Sequence, residues 1–187
     1  MVGAAVGVIV NGAMNDLLTE RLTLHPLTIA EAEQVVSGEA GSGDHWAADY
    51  PADGDRVGAA NFAKHAVPGA ASPFGAYEIR RRSDGRAIGG IGFHGAPDEH
   101  GTAEIGYSLA VSAQGNGYAT EALRALVAAV GAWGVVRLIG NADLDNLPSQ
   151  RVMLAAGLEL VAQDEALRHY AVRIPGPGGR AADQLTG

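Results

Sequence analysis

The sequence predicts a mixed α/β fold in which a twisted, largely antiparallel sheet of about seven strands is flanked by helices. Three observations support this fold class. Residues 74–111 contain three alternating polar and apolar segments joined by short turn-rich connections, as in an antiparallel meander. The most regular helical pattern of the chain follows directly after them. A buried strand, a helix and a final pair of short strands complete the chain.

Each element has a local signal. The predicted strands are residues 21–25, 74–81, 87–94, 102–111, 135–142, 158–162 and 167–172. Helices are predicted at residues 29–37, 56–65, 119–133 and 148–156. The first helix begins with the capping-box spacing of Thr28 and Glu31, and the last is closed by Gly157. Asp84 and Gly85 form the hairpin turn after the second strand, because this pair tolerates positive φ.

One domain is predicted over residues 19–174, preceded by an N-terminal extension (1–18) and followed by a flexible tail (175–187). Residues 1–13 are apolar and small. They lack the basic segment of a signal peptide and are too short to span a bilayer. We expect them to form an ill-ordered extension or an added edge strand.

The composition excludes several kinds of site. Apolar residues make up 47% of the 187-residue chain, so a packed core is expected. The chain has no cysteine, which excludes disulfides and thiolate nucleophiles and fits a reducing, cytoplasmic compartment. A net charge of −8 disfavours nucleic acid and is compatible with amine substrates. The histidines lack ligand-like spacing and no segment has transmembrane length, so neither a metal nor a membrane is expected.

Residues 104–120 are predicted to form an anion site. They have the pattern of a strand, a glycine-bearing turn and the first turn of a helix, whose N–H groups have no internal partners. The helix dipole adds positive potential there. Gly117 leaves the main chain open to a phosphate because it has no Cβ. A phosphate-bearing cofactor is the first hypothesis, and an ordinary β–α connection is the alternative.

Three motifs occur in the order strand, loop and helix. Residues 103–107 read AEIGY, residues 114–119 have the form Q-x-x-G-x-A, and residues 146–158 contain N-x-x-S and end in A-G-L. Together with TERL at residues 19–22, they resemble the GNAT superfamily of N-acyltransferases. They are most similar to its branch that acetylates ribosomal-protein N-termini. The resemblance implies that strands 102–111 and 135–142 splay apart and admit acetyl-CoA.

The same resemblance implies the residues that bind acetyl-CoA. They are Leu109, Ala110 and Val111 for the pantetheine arm, Gln114, Gly115, Asn116, Gly117, Tyr118, Ala119 and Thr120 for the pyrophosphate, Asn146 and Ser149 for the pantetheine or thioester end, and Arg151 for the adenosine phosphates. The implied reaction transfers an acetyl group to a primary amine by direct attack in a ternary complex. Without a cysteine, no thioester with the enzyme can form.

Two catalytic residues follow from the resemblance. Glu104 lies where some relatives carry a carboxylate that acts as a base through water, and its alternative is a structural carboxylate. Many relatives carry a tyrosine as the acid seven residues after the asparagine, where this chain has Met153. Ser149 is the nearest substitute, while Tyr118 and bound water are other options. A CoA-binding regulatory or pseudo-enzyme module is therefore a rival interpretation.

The acceptor site is predicted from Trp46 and Tyr50, on a loop that lines the acceptor pocket in relatives, and from His94 at a strand end. A protein N-terminus, a small amine and an antibiotic are all open as acceptors, and a homodimer is compatible with the resemblance. The G-x-G-x-x-G match at residues 90–95 opens no helix, which argues against a Rossmann site. A purely structural partner protein is the remaining alternative.

Overall fold

A computed structural model describes residues 15–70 and 72–175. The predicted tail after Pro175, and the extension up to Met14, lie outside the described residues. The first described strand, β1 (Leu17–Leu18), pairs antiparallel with β2 (Leu22–Pro26). It adds an edge strand to the sheet. Alternation of apolar residues does not indicate this strand, because two residues are too few to show a period.

The first helix, α1 (Ile29–Ser37), has the predicted bounds. Thr28 and Glu31 form the predicted capping box, and Gly38 ends the helix at φ 75°. Helix α2 (Asp53–His65) begins three residues before its predicted start. The reason is Asp55, whose side chain accepts a hydrogen bond from Ala52 N at 2.9 Å and so caps the earlier turn.

The predicted meander is confirmed as β3 (Ala76–Arg81), β4 (Ala87–Phe93) and β5 (Thr102–Leu109). Strand β5 ends before its predicted limit of Val111. Ala110 N still bonds to Ile88 O, after which residues Val111–Ala113 form a short 3-10 turn. Helix α3 (Tyr118–Ala129) follows at once and continues as a 3-10 turn over Val130–Trp133.

The last elements are β6 (Arg137–Asp143), α4 (Leu147–Ala155), β7 (Glu159–Gln163) and β8 (Leu167–Arg173). All eight strands form one sheet in the order β1-β2-β3-β4-β5-β6-β8-β7. The hairpin β7–β8 was predicted, but β8 lies between β6 and β7. The sheet is mixed because one pair of neighbouring strands, β5 and β6, is parallel and the others are antiparallel.

The two faces of the sheet carry different helices. Helix α2 packs on β4 and β5, while α3 and α4 pack together and contact β2, β5 and β6. A Cβ at Gly54 of α2 would meet Ser108, whereas Tyr107 bonds to Ser149 of α4. Alternate residues of β5 thus face the two helical layers. Leucine and isoleucine side chains fill the core between them, including Leu22, Leu24, Ile79, Ile88, Leu123, Leu126 and Leu138.

Candidate active site

The gap between β5 and β6 is the centre of the candidate site. The two strands pair only from Thr102–Glu104 against Arg137–Ile139 and then diverge. Ala110 N bonds to Ile88 O, and His94 N bonds to Glu104 O. Alternate residues of an antiparallel strand bond in opposite directions, so Tyr107 and Leu109 direct their N–H groups into the gap. An additional extended chain can therefore pair with this edge of β5.

Gly140 lies on the β6 side of the gap, close to Met153 and to β5. A Cβ at this position would lie 3.3 Å from Met153 Sδ and 3.5 Å from Ile105 O. Of the three residues predicted to accompany the pantetheine arm, Leu109 has its N–H on the gap. Ala110 does not, because its N–H is used by Ile88, and the exposed Val111 lies in the 3-10 turn.

The predicted pyrophosphate loop leads into the N-terminus of α3. Gly115 and Gly117 have φ values of 76° and 77°, and Gly117 is the N-cap. The amides of Tyr118, Ala119 and Thr120 are in the first turn, where no intrahelical acceptor exists. These amides and the helix dipole favour an anion.

The side chains of the loop bond to its own backbone. Gln114 Nε2 donates to Leu109 O at 3.1 Å, and Asn116 Nδ2 donates to Gln114 O at 2.9 Å. These two predicted cofactor residues therefore shape the loop, and the groups left to hold a phosphate are the backbone amides.

A clamp between Arg21 and Glu121 supports the loop from outside. Arg21 Nε lies 2.7 Å from Glu121 Oε2, and its Nη1 donates to Asn116 O at 2.9 Å. The same guanidinium lies over the ring of Tyr118, 4.8 Å from the centroid. Burial opposes ionisation of Glu121, but hydrogen bonds from Thr19 and Arg21 outweigh it and lower the pKa of this carboxyl. No sequence pattern indicates this pair, because its members are far apart in the chain.

Ser149 lies at the start of α4 and is held by two contacts. Its N–H donates to Asn146 Oδ1, the helix cap, at 3.1 Å. Its hydroxyl is 2.9 Å from Tyr107 Oη, which also lies 3.0 Å from Ser149 O. Burial raises the pKa of Tyr107 to about 12, so this phenol is protonated at neutral pH. Tyr107 belongs to the AEIGY motif, but no sequence pattern indicates its contact with Ser149.

Three further residues concern the predicted acid and the adenosine phosphates. Met153 is buried against Gly140 and holds no proton donor. Tyr118, an alternative donor, lies with Arg21 and so accompanies the loop rather than Ser149. Arg151 is exposed on α4, and its predicted role at the adenosine phosphates stays a prediction.

Glu104 belongs to a row of polar side chains that crosses three strands, β5, β6 and β8. Its Oε1 accepts a hydrogen bond from Asn141 Nδ2 of β6 at 2.8 Å. His169 Nδ1 of β8 is 2.7 Å from Asn141 Oδ1, and His169 Nε2 is 2.6 Å from Asp164 Oδ2. On the other side, His94 Nδ1 lies 3.3 Å from Glu104 Oε1. Glu104 is thus held at the point where β5 and β6 separate.

This row has a defined direction of hydrogen bonding. Since the Asn141 amide donates to Glu104, its oxygen faces His169 and needs a donor. The Asp164 carboxylate is an acceptor on the other side of the ring, so His169 lies between two acceptors. Backbone amides of Ala166 and Leu167, with His169, lower the pKa of Asp164 to about 2. Asn141, His169 and Asp164 were missed in the sequence, because cross-strand neighbours have no sequence spacing.

A cavity of about 590 Å³ lies between α2 and the sheet. Its floor consists of residues with small or no side chains, Gly90, Gly92, Gly106 and Ser108. Of the predicted acceptor residues, Tyr50 and His94 line this cavity. Trp46 does not, since it packs edge-to-face against Tyr50 with the ring centroids 5.2 Å apart. The acceptor loop is tied to the end of β5 by Asp49, which accepts hydrogen bonds from Ser112 N and Oγ.

Asp55 is the buried carboxyl group in the wall of this cavity. Its residue is 5% exposed, and its Oδ1 makes no hydrogen bond to any described residue. Burial raises its pKa to about 6, although donor groups of Ala52, Gly90 and Ser108 partly oppose the shift. Of these donors, only Ala52 N has the distance and angle of a hydrogen bond. Glu78 is also buried, but it is paired with Arg80 at 2.5 Å.

Asp55→Asn is expected to stabilise the fold at pH 8. The pKa of Asp55 is raised from its ordinary 3.8 to about 6, so the wild type loses stability as the pH rises from about 4 to about 6. At about 1.4 kcal/mol per pKa unit, this loss is about 3 kcal/mol above pH 6. Asparagine carries no charge and still offers an oxygen to Ala52 N.

Urea unfolding of both proteins at pH 4 and pH 8 measures the effect, which should be seen at pH 8 only. Asp53→Asn is the matched control, because it removes an exposed carboxylate from the same helical turn. A variant less stable than the wild type at pH 8 would contradict the prediction.

No helix within the described ranges is long and apolar enough to cross a membrane. In the same part of the chain, no group of three or more acidic, histidine or cysteine side chains is arranged to hold a metal ion.

Known proteins resemble this chain in sequence and in fold. Residues 21–159 match the family described as acetyltransferase (GNAT) domain. The uncharacterized N-acetyltransferase YjdG of Bacillus subtilis (strain 168) is 32% identical over 98 residues, which are 52% of this chain and 58% of that protein. The chain spans little more than half the length of the curated relatives it matches.

Two solved structures share the fold. The microcin C7 self-immunity acetyltransferase MccE, in complex with acetyl-CoA and AMP, superposes with a TM-score of 0.60 at 19% identity over 88% of this chain and 98% of that one. The ribosomal-protein-S5-alanine acetyltransferase of Vibrio fischeri has a TM-score of 0.60 at 12% identity over 86% and 97%. At these identities the likeness concerns the fold alone. The family match covers most of the chain, which therefore belongs to the acetyltransferase (GNAT) domain family.

Proposed function

We propose that this protein is an N-acetyltransferase that moves an acetyl group from acetyl-CoA to a primary amine, of a protein N-terminus or of a small molecule, by direct attack in a ternary complex. The observation that carries the proposal is the gap between β5 and β6. It has free backbone N–H groups on one edge, an anion-binding helix start at one end and Glu104 at the other.

The residues present fit acetyl-CoA as the donor. The amides of Tyr118, Ala119 and Thr120 would hold the pyrophosphate, and the N–H groups of Tyr107 and Leu109 would pair with the pantetheine arm. When bound, acetyl-CoA supplies an activated thioester, whose C–S bond breaks as the new N–C bond forms. An amide on the gap, such as that of Leu109, would donate to the carbonyl oxygen as negative charge develops there.

Glu104 is the proposed base. An amine attacks only when neutral, and a lysine-type amine titrates near 10.4, so removal of its proton is a large part of the task. Asn141 and His94 hold the carboxylate on the α2 side of the sheet. Glu104 would accept the proton lost by the amine, directly or through water.

Ser149 and Tyr107 are the proposed source of the second proton. The departing thiolate needs one proton, and its reference pKa near 8.5 makes this an undemanding step. Ser149 would donate its hydroxyl proton to the thiolate and recover one from Tyr107, whose phenol lies 2.9 Å away, and a proton from solvent would restore the phenol before the next turnover. This pair would replace the proton donor absent at Met153.

Tyr107→Phe is expected to lower kcat roughly tenfold, because the thiolate is a good leaving group and needs less help than the usual 10²–10⁴-fold acid–base contribution. KM for acetyl-CoA should stay within about twofold, since the backbone at this position is unchanged. Steady-state kinetics of this variant, of Ser149→Ala and of the double variant measure the effect. If the two residues act as a unit, the double variant should lose little more activity than the single variants. A loss in the double variant equal to the product of the two single losses would contradict the relay.

An acceptor panel tests the function as a whole. Acetyl-CoA consumption would be followed with peptides bearing alanine or serine N-termini, with small amines and with aminoglycosides, while calorimetry measures acetyl-CoA binding separately. We expect turnover with at least one class and intersecting initial-rate lines, the pattern of a ternary complex. Parallel lines would contradict direct attack.

A CoA-binding regulatory module is the second candidate, favoured by the buried Met153 at the position of the usual acid. It predicts CoA binding without turnover of any amine. Failure of CoA to bind at all would contradict both candidates and leave a structural partner protein.

The proposed compartment is the cytoplasm, where acetyl-CoA is available to such an enzyme. A homodimer stays a prediction that light scattering of the purified chain would test.

A further inference from the structure

The cavity between α2 and the sheet combines apolar walls with a single buried anion. Apolar side chains line it on the helical side, among them Leu27, Val35 and Ala59. Asp55 is its acidic lining residue, and His94 lines it at the end of β4. No lysine or arginine of the described chain lines it. A hydrocarbon chain would suit these walls, but nothing in them neutralises Asp55.

Asp55 has one oxygen in use and one without a partner. Its Oδ2 accepts from Ala52 N, which accounts for its place in the first turn of α2. Its Oδ1 is fully buried and makes no hydrogen bond among the described residues. A buried polar atom without a partner costs stability and calls for an explanation. Glu78, buried nearby, needs none because Arg80 pairs with it.

We propose that this cavity is the acceptor's second binding point, in which Asp55 takes an ammonium group at the far end of an apolar chain. The inference rests on the proposed N-acetyltransferase function and narrows its acceptors to amines that carry a second cationic group. Both sources of this chemistry, a free diamine and a peptide with an N-terminal lysine, present the same methylene chain and ammonium.

Charge favours a cation over a neutral donor. At neutral pH Asp55 is mainly ionised, because its raised pKa of about 6 is still below 7. An ionised carboxylate in an apolar wall is compensated best by an opposite charge. The Arg80 guanidinium is already engaged by Glu78, and Arg56 donates to Val36 O.

The sheet sets the span between the two carboxylates. A Cβ at Gly90 would lie 3.1 Å from Asp55 Oδ1, and Gly90 pairs with Ser108, four residues beyond Glu104 on β5. Four strand residues extend roughly 13 Å. This length is the upper limit of the distance between the two amines of the acceptor, because the reacting amine would lie between Glu104 and the amide of Leu109.

The test compares diamines with monoamines of equal chain length, from propane-1,3-diamine to octane-1,8-diamine, with the amino alcohols as neutral controls. The ratio of kcat/KM for diamine over monoamine should exceed ten at the best chain length. At the shortest length it should fall towards two, the factor expected because a diamine has two equivalent amines. Lysine-initiated and norleucine-initiated peptides form the second arm and distinguish a peptide source from a free diamine. A ratio near two at every length, with no lysine preference, would overturn the proposal.

Asp55→Asn should reduce the ratio at least fivefold, whereas Asp53→Asn, the matched charge change on the exposed side of the same turn, should keep it. Gly90→Ala is a second variant, because its methyl would crowd Oδ1 without disturbing the bond to Ala52. An unchanged ratio in both Asp55→Asn and Gly90→Ala would overturn the proposal.

Calorimetry separates this subsite from the catalytic function. Octane-1,8-diamine is titrated into the wild type and Asp55→Asn, each saturated with CoA. Diamine binding that depends on Asp55 would support the subsite even if no amine is acetylated. Equal binding by both proteins would overturn it even if the enzyme is active.

Discussion

Gly117→Val is expected to weaken acetyl-CoA binding at least tenfold. Gly117 has φ 77° and is the N-cap of α3, so a β-branched residue there is strained by about 1–3 kcal/mol. The loop would relieve this strain by leaving the left-handed conformation, and the amides of residues 118–120 would no longer converge on one anion. A loss of about 1.4 kcal/mol in binding corresponds to the tenfold change.

Titration calorimetry with acetyl-CoA measures this effect. Gly134→Val is the matched control, since Gly134 also has a positive φ, 85°, at the end of a helical turn. No atom lies near the position of its missing Cβ. Both variants should unfold at lower temperature, but only Gly117→Val should lose affinity. Equal affinity of Gly117→Val and the wild type would remove the loop from the proposed cofactor site.

Glu104→Gln is expected to lower kcat by at least about 100-fold, the lower limit of a typical acid–base contribution. Glutamine keeps the size of the side chain and can still bond to Asn141, but it accepts no proton. The loss should be larger for a lysine-type amine, which titrates near 10.4, than for an α-amino group near 8. KM for acetyl-CoA should change little.

The measurement is the pH–rate profile of both proteins with one acceptor of each kind. Loss of the acidic limb in Glu104→Gln, where protonation of the base slows the wild type, would identify the carboxylate as the base. Glu99→Gln, an exposed residue in the turn before β5, makes the same charge change and should leave the profile intact. A parallel, pH-independent decrease in both acceptors would instead indicate that Glu104 only supports the sheet.

Much of the fold follows from local sequence. Helix α1 has its predicted bounds because Thr28, Glu31 and Gly38 define both ends within the helix itself. The meander β3–β5 and the loop before α3 were predicted because alternation and glycine placement are properties of neighbouring residues. Two of the bounds that moved have identifiable causes: Asp55 caps α2 at an earlier turn, and β5 ends where Ala110 makes its last bond to β4.

The candidate site likewise consists of parts that the sequence predicts and parts that only the tertiary structure shows. The sequence by itself determined the strand, the glycine-bearing loop and the helix start, and through their resemblance the family. Only the tertiary structure decided what faces them: Asn141 and His169 beside Glu104, Tyr107 on Ser149, and Arg21 on Glu121. It also showed that Asp55 caps α2 with one oxygen and leaves the other unpaired beside the cavity. Pairing across strands and burial depend on residues distant in the chain, and no spacing in the sequence encodes them.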